Sequence, residues 1–242
     1  MNILVFEFKE QGYDSRQVLE YKRGVEMQIF NYGNPSAPTV LIQPVDDHDL
    51  EEMEGEIDEI RKQVQADFRL IAVKVDDWNQ DLSPWKAPAV FGKDDFGDGA
   101  GDMLQFILGQ CSDYSKTYYI GGYSLAGLFS LWAAYQTDVF AGVAAVSPSI
   151  WFPDFLQYME EHDIRTDAVY LSLGDREEKT KNPVMATVGD CIRKGQELLC
   201  RKGVWTTLEW NQGNHFKDAG IRTAKGFVWV MKNDAEAEEN KQ

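Results

Sequence analysis

The chain has 242 residues, enough for one α/β domain with a substantial core and short for two. Its 40 acidic residues against 24 basic ones give a formal charge of -16, which argues against nucleic acid and anionic membrane surfaces as partners. Hydrophobic residues at 43% fit an ordinary globular protein, and no run approaches the ~18 apolar residues of a membrane span.

The start, MNILVFEFKE, is too briefly apolar for a signal peptide, so a cytoplasmic location is expected. Cys111, Cys191 and Cys200 have no CxxC spacing and leave an odd one out, which argues against a disulfide framework or a zinc site. They read as reduced packing residues, and no metal or other cofactor is expected. The sequence carries no signal of oligomeric state.

In chain order, Asn2 to Phe8, Gln17 to Tyr21 and Val25 to Asn31 predict strands, and their short connections predict antiparallel pairing at one sheet edge. Gly33, Pro35 and Pro38 mark a loop before Thr39 to Pro44, an apolar run suited to a buried parallel strand. Asp49 to Ala66 spaces Leu50, Met53, Ile57, Ile60 and Val64 for a helix, with acid early and Arg61 and Lys62 late. Phe68 to Val75 is the next strand. Asp76 to Gly101 predicts no regular element, and its Trp78, Trp85, Phe91 and Phe96 mark it as functional rather than disordered.

Beyond it the pattern gives a helix over Asp102 to Gln110, a strand from Thr117, a strand over Ala141 to Val146 and a short helix over Asp154 to His162. A strand over Ala168 to Leu173 precedes a helix over Pro183 to Arg201, with Pro at its first turn and Gly203 past its end. Val204 to Trp210 is the last strand and roughly Phe216 to Lys232 the last helix. Residues 1–233 are expected to form a single domain, and 234–242 a frayed acidic tail. Strands alternating with helices from residue 39 onward predict a mostly parallel central sheet with helices on both faces.

The chemistry centres on Thr117 to Tyr135, where a β-rich run turns through two glycines into a dense apolar stretch. At the turn, Gly122-Tyr123-Ser124-Leu125-Ala126 spells G-x-S-x-A, the nucleophile-elbow pattern with Ala in place of the last Gly. Small residues two before and two after the serine let a strand reverse sharply into a helix. A plain alternative is a glycine-rich turn whose serine caps the helix. The elbow reading lifts the Ser124 hydroxyl above the strand and aims the Leu125 amide at developing negative charge.

A serine hydroxyl needs a base, and the chain offers His48, His162 and His215. With the order serine, acid, histidine, the base must follow the last strand, which selects His215 in Gln212-Gly213-Asn214-His215-Phe216. His162 lies in a polar EEHD run and reads as a solvated helix end. The acid should follow the strand Ala168 to Leu173, where Asp175, Glu177 and Glu178 compete. Glu177, at G-x-x-E spacing, is favoured, with Asp175 the alternative.

With these residues in place, the chain resembles the esterase family of α/β-hydrolases that includes the catalytic domain of enterochelin esterases, and it is similar to esterase D and feruloyl esterases. The resemblance covers about residues 25–231 and rests on GGYSLAGLFSLWAA, FAGVAAVSPSIWF, LSLGDREEKT and the late Gly-Asn-His. It implies an α/β-hydrolase fold with Ser124 as nucleophile, Glu177 as acid and His215 as base. Asn79 to Trp85 resembles the family's substrate-side loop. Val45-Asp46-Asp47-His48 stands where the family carries a glycine-rich oxyanion motif, so the Leu125 amide and one from Val45 or Asp46 are the expected oxyanion donors.

The expected function is hydrolysis of a small-molecule carboxylic ester through an acyl-enzyme, without a cofactor. A non-catalytic binding protein of the same fold and an acyltransferase to an alcohol are the alternatives. Trp78, Trp85 and Trp151 fall near the carboxyl edge of the sheet and are the candidate substrate contacts, with Trp151 foremost because its Ser-Pro-Ser-Ile-Trp setting resembles the family's.

Overall fold

The computed structural model describes residues 3–6, 15–20 and 26–239, with side chains over 27–232. The strand ends expected at residues 2, 7, 8, 21 and 25, and the tail residues 240–242, lie outside the described residues. The chain runs β1 (Ile3–Phe6), β2 (Ser15–Glu20), β3 (Glu26–Gly33), β4 (Thr39–Val45), α1 (Asp47–Gln63), β5 (Phe68–Lys74), α2 (Trp78–Asp81) and α3 (Ala100–Gln110). It continues through β6 (Thr117–Tyr123), α4 (Leu125–Gln136), β7 (Phe140–Val146), α5 (Phe155–Glu161), β8 (Ala168–Gly174), α6 (Val188–Arg201), β9 (Trp205–Asn211) and α7 (Ala219–Glu239).

The strands form one sheet in the order β1-β2-β3-β5-β4-β6-β7-β8-β9. β1, β2 and β3 pair antiparallel, as does β3 with β5, and every pairing from β5 across to β9 is parallel. This is the expected mostly parallel sheet with antiparallel N-terminal edge strands. Successive residues of a strand face opposite ways, and the buried side chains divide accordingly. Val40, Ile42, Ile120, Val143 and Leu171 join one core layer with α3, α4, α5 and α6, whereas Leu41, Leu70, Tyr119, Ala144 and Tyr170 join another with α1 and α7.

α4 is apolar because it is enclosed: Leu125 through Tyr135 are all buried. α1 begins with a capping box between Asp46 and Asp49 and carries Arg61 and Lys62 in its last turn, so its ends satisfy their amides and its dipole.

Three segments differ from expectation. The 76–101 stretch holds the single turn α2, capped by Asp77, and a bridge between Ala87 and Phe96. The helix expected from Pro183 begins at Val188, because the Asn182 side chain accepts the Val184 and Met185 amides and turns the chain first through a 3-10 helix, Met185–Thr187. The last helix starts at Ala219, since residues 213–218 form turns around His215, and it runs to Glu239 rather than Lys232.

Candidate active site

Ser124 stands between β6 and α4 at φ 57 and ψ -117, a conformation that L residues adopt only under constraint. Its amide donates to the Val146 carbonyl at 3.0 Å and its carbonyl accepts from Ser149 at 3.1 Å, which clamps the turn to the neighbouring strand end. The turn is tight enough that a Cβ on Gly122 would lie 2.6 Å from that of Ala126, the contact that the small residues around Ser124 were expected to permit. Leu125 opens α4, where first-turn amides have no intrahelical partner. Val45 ends β4, the strand beside β6, and its carbonyl accepts from Val75.

His215, on the turns after β9, spans the gap between two other strand ends. Its Nε2 is 3.0 Å from Ser124 Oγ and its Nδ1 is 2.7 Å from Glu177 Oε2. With the Nδ1 proton facing the carboxylate, Nε2 is left to accept from the serine hydroxyl. The ring is 24% exposed, whereas the Glu177 side chain is 2% exposed.

Burial of Glu177 is compensated from three directions on its other oxygen. Oε1 accepts from the Gly174 amide at 2.6 Å, from Ser147 Oγ at 2.8 Å and from Arg222 Nη1 at 3.3 Å. Gly174 must lack a side chain here, since a Cβ would come within 2.9 Å of that oxygen. Asp175, the alternative acid, does not touch the imidazole; its Oδ1 accepts from the Gly213 amide at 2.8 Å and so braces the histidine loop. Glu178 faces Arg193 at 3.8 Å.

Ser147, Tyr123 and Arg222 support the site without having been singled out in the sequence. Tyr123 donates to the His215 carbonyl at 2.8 Å and accepts from Arg222 at 3.0 Å. Burial, aided by the nearby Glu177 charge, pushes its phenol up to about 12, so it remains a donor. Arg222 also donates to the Gln212 carbonyl at 3.1 Å. The available signal for it was a charge opening the largely buried stretch Arg222 to Val228.

Ser124 and His215 open onto a cavity of about 560 Å³ walled by Trp151, Phe91, Met185 and Phe216, with Ser149 and Asn214 among its polar residues. Trp151 packs edge-on against Phe91 at 5.5 Å. Trp78 and Trp85 are corrections, because neither lines this cavity. Trp85 donates its indole N–H to the Pro153 carbonyl at 3.0 Å and packs on Phe152, Phe155 and Tyr158, so it ties its loop to the core. Trp78 is partly buried against the same core layer at the start of α2.

The other two histidines lie elsewhere. His48 is exposed on α1 near Glu52, and His162 stacks on Tyr158 at the exposed end of α5. The cysteines are free, but only Cys111 is a buried packing residue, its thiol pushed up to about 12 by burial; Cys200 is exposed, contrary to expectation. Among the described residues no three His, Cys, Asp or Glu side chains are grouped to hold a metal, and no helix is long and apolar enough to cross a membrane.

No family model and no curated protein sequence matches the chain. Solved structures do. The chain is similar to an IroE-like serine hydrolase from Shewanella oneidensis at 15% identity and TM-score 0.71, over 90% of this chain and 80% of that one. It is similar to the siderophore hydrolase EstA from Aspergillus nidulans at 18% identity and TM-score 0.67, over 94% and 98% of the two chains. A third match is the enterobactin esterase FES from Shigella flexneri, at 13% identity and TM-score 0.65, over 93% of this chain but only 60% of that one. These likenesses are of fold: the chain has an α/β-hydrolase fold, and its structural neighbours include esterases of the enterochelin type.

Proposed function

We propose that the chain, as a single domain over residues 1–233, is a serine carboxylic-ester hydrolase acting in the cytoplasm on small-molecule esters. The observation that carries this reading is His215, bridged between Ser124 and Glu177 by contacts of 3.0 and 2.7 Å. The fold's serine hydrolase and esterase neighbours support it.

In this mechanism Ser124 Oγ attacks the ester carbonyl carbon as its proton passes to His215 Nε2. Glu177 holds the Nδ1 proton and balances the imidazolium charge. The tetrahedral oxyanion takes hydrogen bonds from the Leu125 amide and from that of Val45, since the Asp46 amide already donates to Asp49 Oδ2 in the capping box. His215 then returns the proton to the departing alcohol oxygen, leaving an acyl-enzyme. Water, deprotonated by His215, attacks the acyl carbon, and Ser124 leaves with its proton restored. Trp151 forms the wall against which the substrate packs.

Ser124→Ala should abolish hydrolysis of p-nitrophenyl acetate and butyrate and labelling by a fluorophosphonate, with an unchanged circular dichroism spectrum. Retained hydrolysis by the variant would sink the proposal. Labelling of the wild-type chain also separates an enzyme from a binding protein of the same fold, since only an activated serine reacts.

A further inference from the structure

The loop after β8 carries a run of charges, Asp175-Arg176-Glu177-Glu178-Lys179, which the fold sorts by sign. The carboxylates are all turned to partners within the protein. Asp175 accepts from Gly213, Glu177 binds His215, Ser147, Gly174 and Arg222, and Glu178 faces Arg193. Arg176 and Lys179 instead line the cavity that holds Ser124 and His215. Both are exposed, and among the described residues neither side chain has an ion-pair or hydrogen-bond partner.

In a chain with 40 acids and 24 bases a cation meets a carboxylate readily, as Lys74, Arg193, Arg201 and Lys225 do. Among the described residues the only carboxylate lining the cavity is Glu177, already engaged and 2% exposed. Two uncompensated cations therefore share a cavity with the apolar side chains of Phe91, Trp151, Met185 and Phe216, where lower local polarity strengthens their pull on an anion. The chain's overall charge of -16 opposes an anion at long range. In physiological salt that repulsion is screened beyond ~8 Å, whereas the cavity cations act near contact.

We infer that the substrates are esters carrying a carboxylate, which Arg176 and Lys179 anchor while Ser124 attacks the ester carbonyl. The inference rests on the ester-hydrolase reading and adds the charge of the substrate to it. Two matched pairs test it. For a carboxylate on the acyl side, p-nitrophenyl hydrogen glutarate is compared with p-nitrophenyl valerate. For the alcohol side, the acetyl ester of p-hydroxybenzoate is compared with that of its methyl ester. Each rate is corrected with Ser124→Ala as background.

The expected result, in at least one pair, is a kcat/KM about tenfold higher for the anionic ester at low salt, with the ratio falling as salt rises. Arg176→Glu combined with Lys179→Glu should lower that ratio by about tenfold or more, and the double Gln variant partway. A ratio is unaffected by a general loss of folded enzyme. If both neutral esters are hydrolysed as well as their anionic partners, the inference is overturned and the hydrolase reading stands. If none of the four is hydrolysed in a Ser124-dependent way, the hydrolase reading falls and the inference falls with it.

Discussion

Arg222 and Glu177 form an ion pair at 3.3 Å in which each side chain is only 2% exposed. The carboxylate that orients His215 is thus held between an imidazole on one oxygen and a guanidinium on the other. Arg222→Met would leave a buried charge uncompensated, a loss of about 3–5 kcal/mol in stability. In the protein that still folds, kcat should fall while KM changes little, because the carboxylate that orients His215 is no longer held in place. Arg222→Lys, which keeps the charge, should retain most of the activity. An unchanged kcat in folded Arg222→Met would reduce Arg222 to a packing role.

Glu177→Gln should lower kcat roughly a thousandfold or more, since the Nδ1 proton loses its anionic partner. Asp175→Asn should be much milder, because Asp175 meets the Gly213 amide rather than the imidazole, and an amide oxygen can still accept there. Steady-state rates of the two variants decide the matter. The opposite order would transfer the acid role to Asp175.

The tryptophans should separate by readout. Trp151→Ala is expected to raise KM for bulky aromatic esters while acetyl esters and Tm change little, because its ring faces the cavity beside Phe91. Trp85→Ala should instead cost roughly 3 kcal/mol of stability, with no dependence on substrate size. A substrate-dependent effect at Trp85 would return it to the cavity.

Two carboxyls on α1, the half-buried Asp49 and the buried Glu56, set a pH dependence of stability. Burial raises Asp49 from 3.8 to about 6, with the Asp46 charge adding to it, and raises Glu56 well above the usual carboxylate range beside Gln43. A raised value in the folded state means that the native protein binds the proton more tightly than the unfolded chain. The stability from these groups is complete below the ordinary carboxylate range and is lost as pH rises, for Asp49 between 3.8 and about 6. Glu56→Gln, uncharged at every pH, should therefore raise Tm at pH 8 relative to wild type by about 2–4 °C per kcal/mol recovered, with a smaller gain near pH 5. Equal changes at both values would mean that folding does not raise the proton affinity of Glu56.

The elbow and the parallel strands were legible because each rests on short-range rules. Gly122 and Ala126 are small where two backbones meet, and the order of serine, acid and histidine follows the order of strand ends. Choosing between Glu177 and Asp175 rested on spacing and on resemblance, and what separates them in space is that Asp175 folds back onto Gly213. Arg222 was hidden for a different reason: a charge within a buried helical stretch becomes meaningful only when the distant loop it reaches is known. Trp85 misled because a tryptophan in a long loop looks the same whether it faces a ligand or pins the loop, and its bond to Pro153 spans 68 residues. The 3-10 turn before α6 depends on one Asn182 side chain, which overrode the helix-start signal of Pro183.

Ser124 at φ 57 has neighbours in its backbone geometry: Ser147, which holds Glu177, at φ 41, and Asp218, just before α7, at φ 55. Glycine would relieve each position of about 1–3 kcal/mol of strain. A screen that selected variants for heat resistance without assaying turnover would thus be drawn to these positions. At Ser124 it would enrich a sturdier protein with no nucleophile.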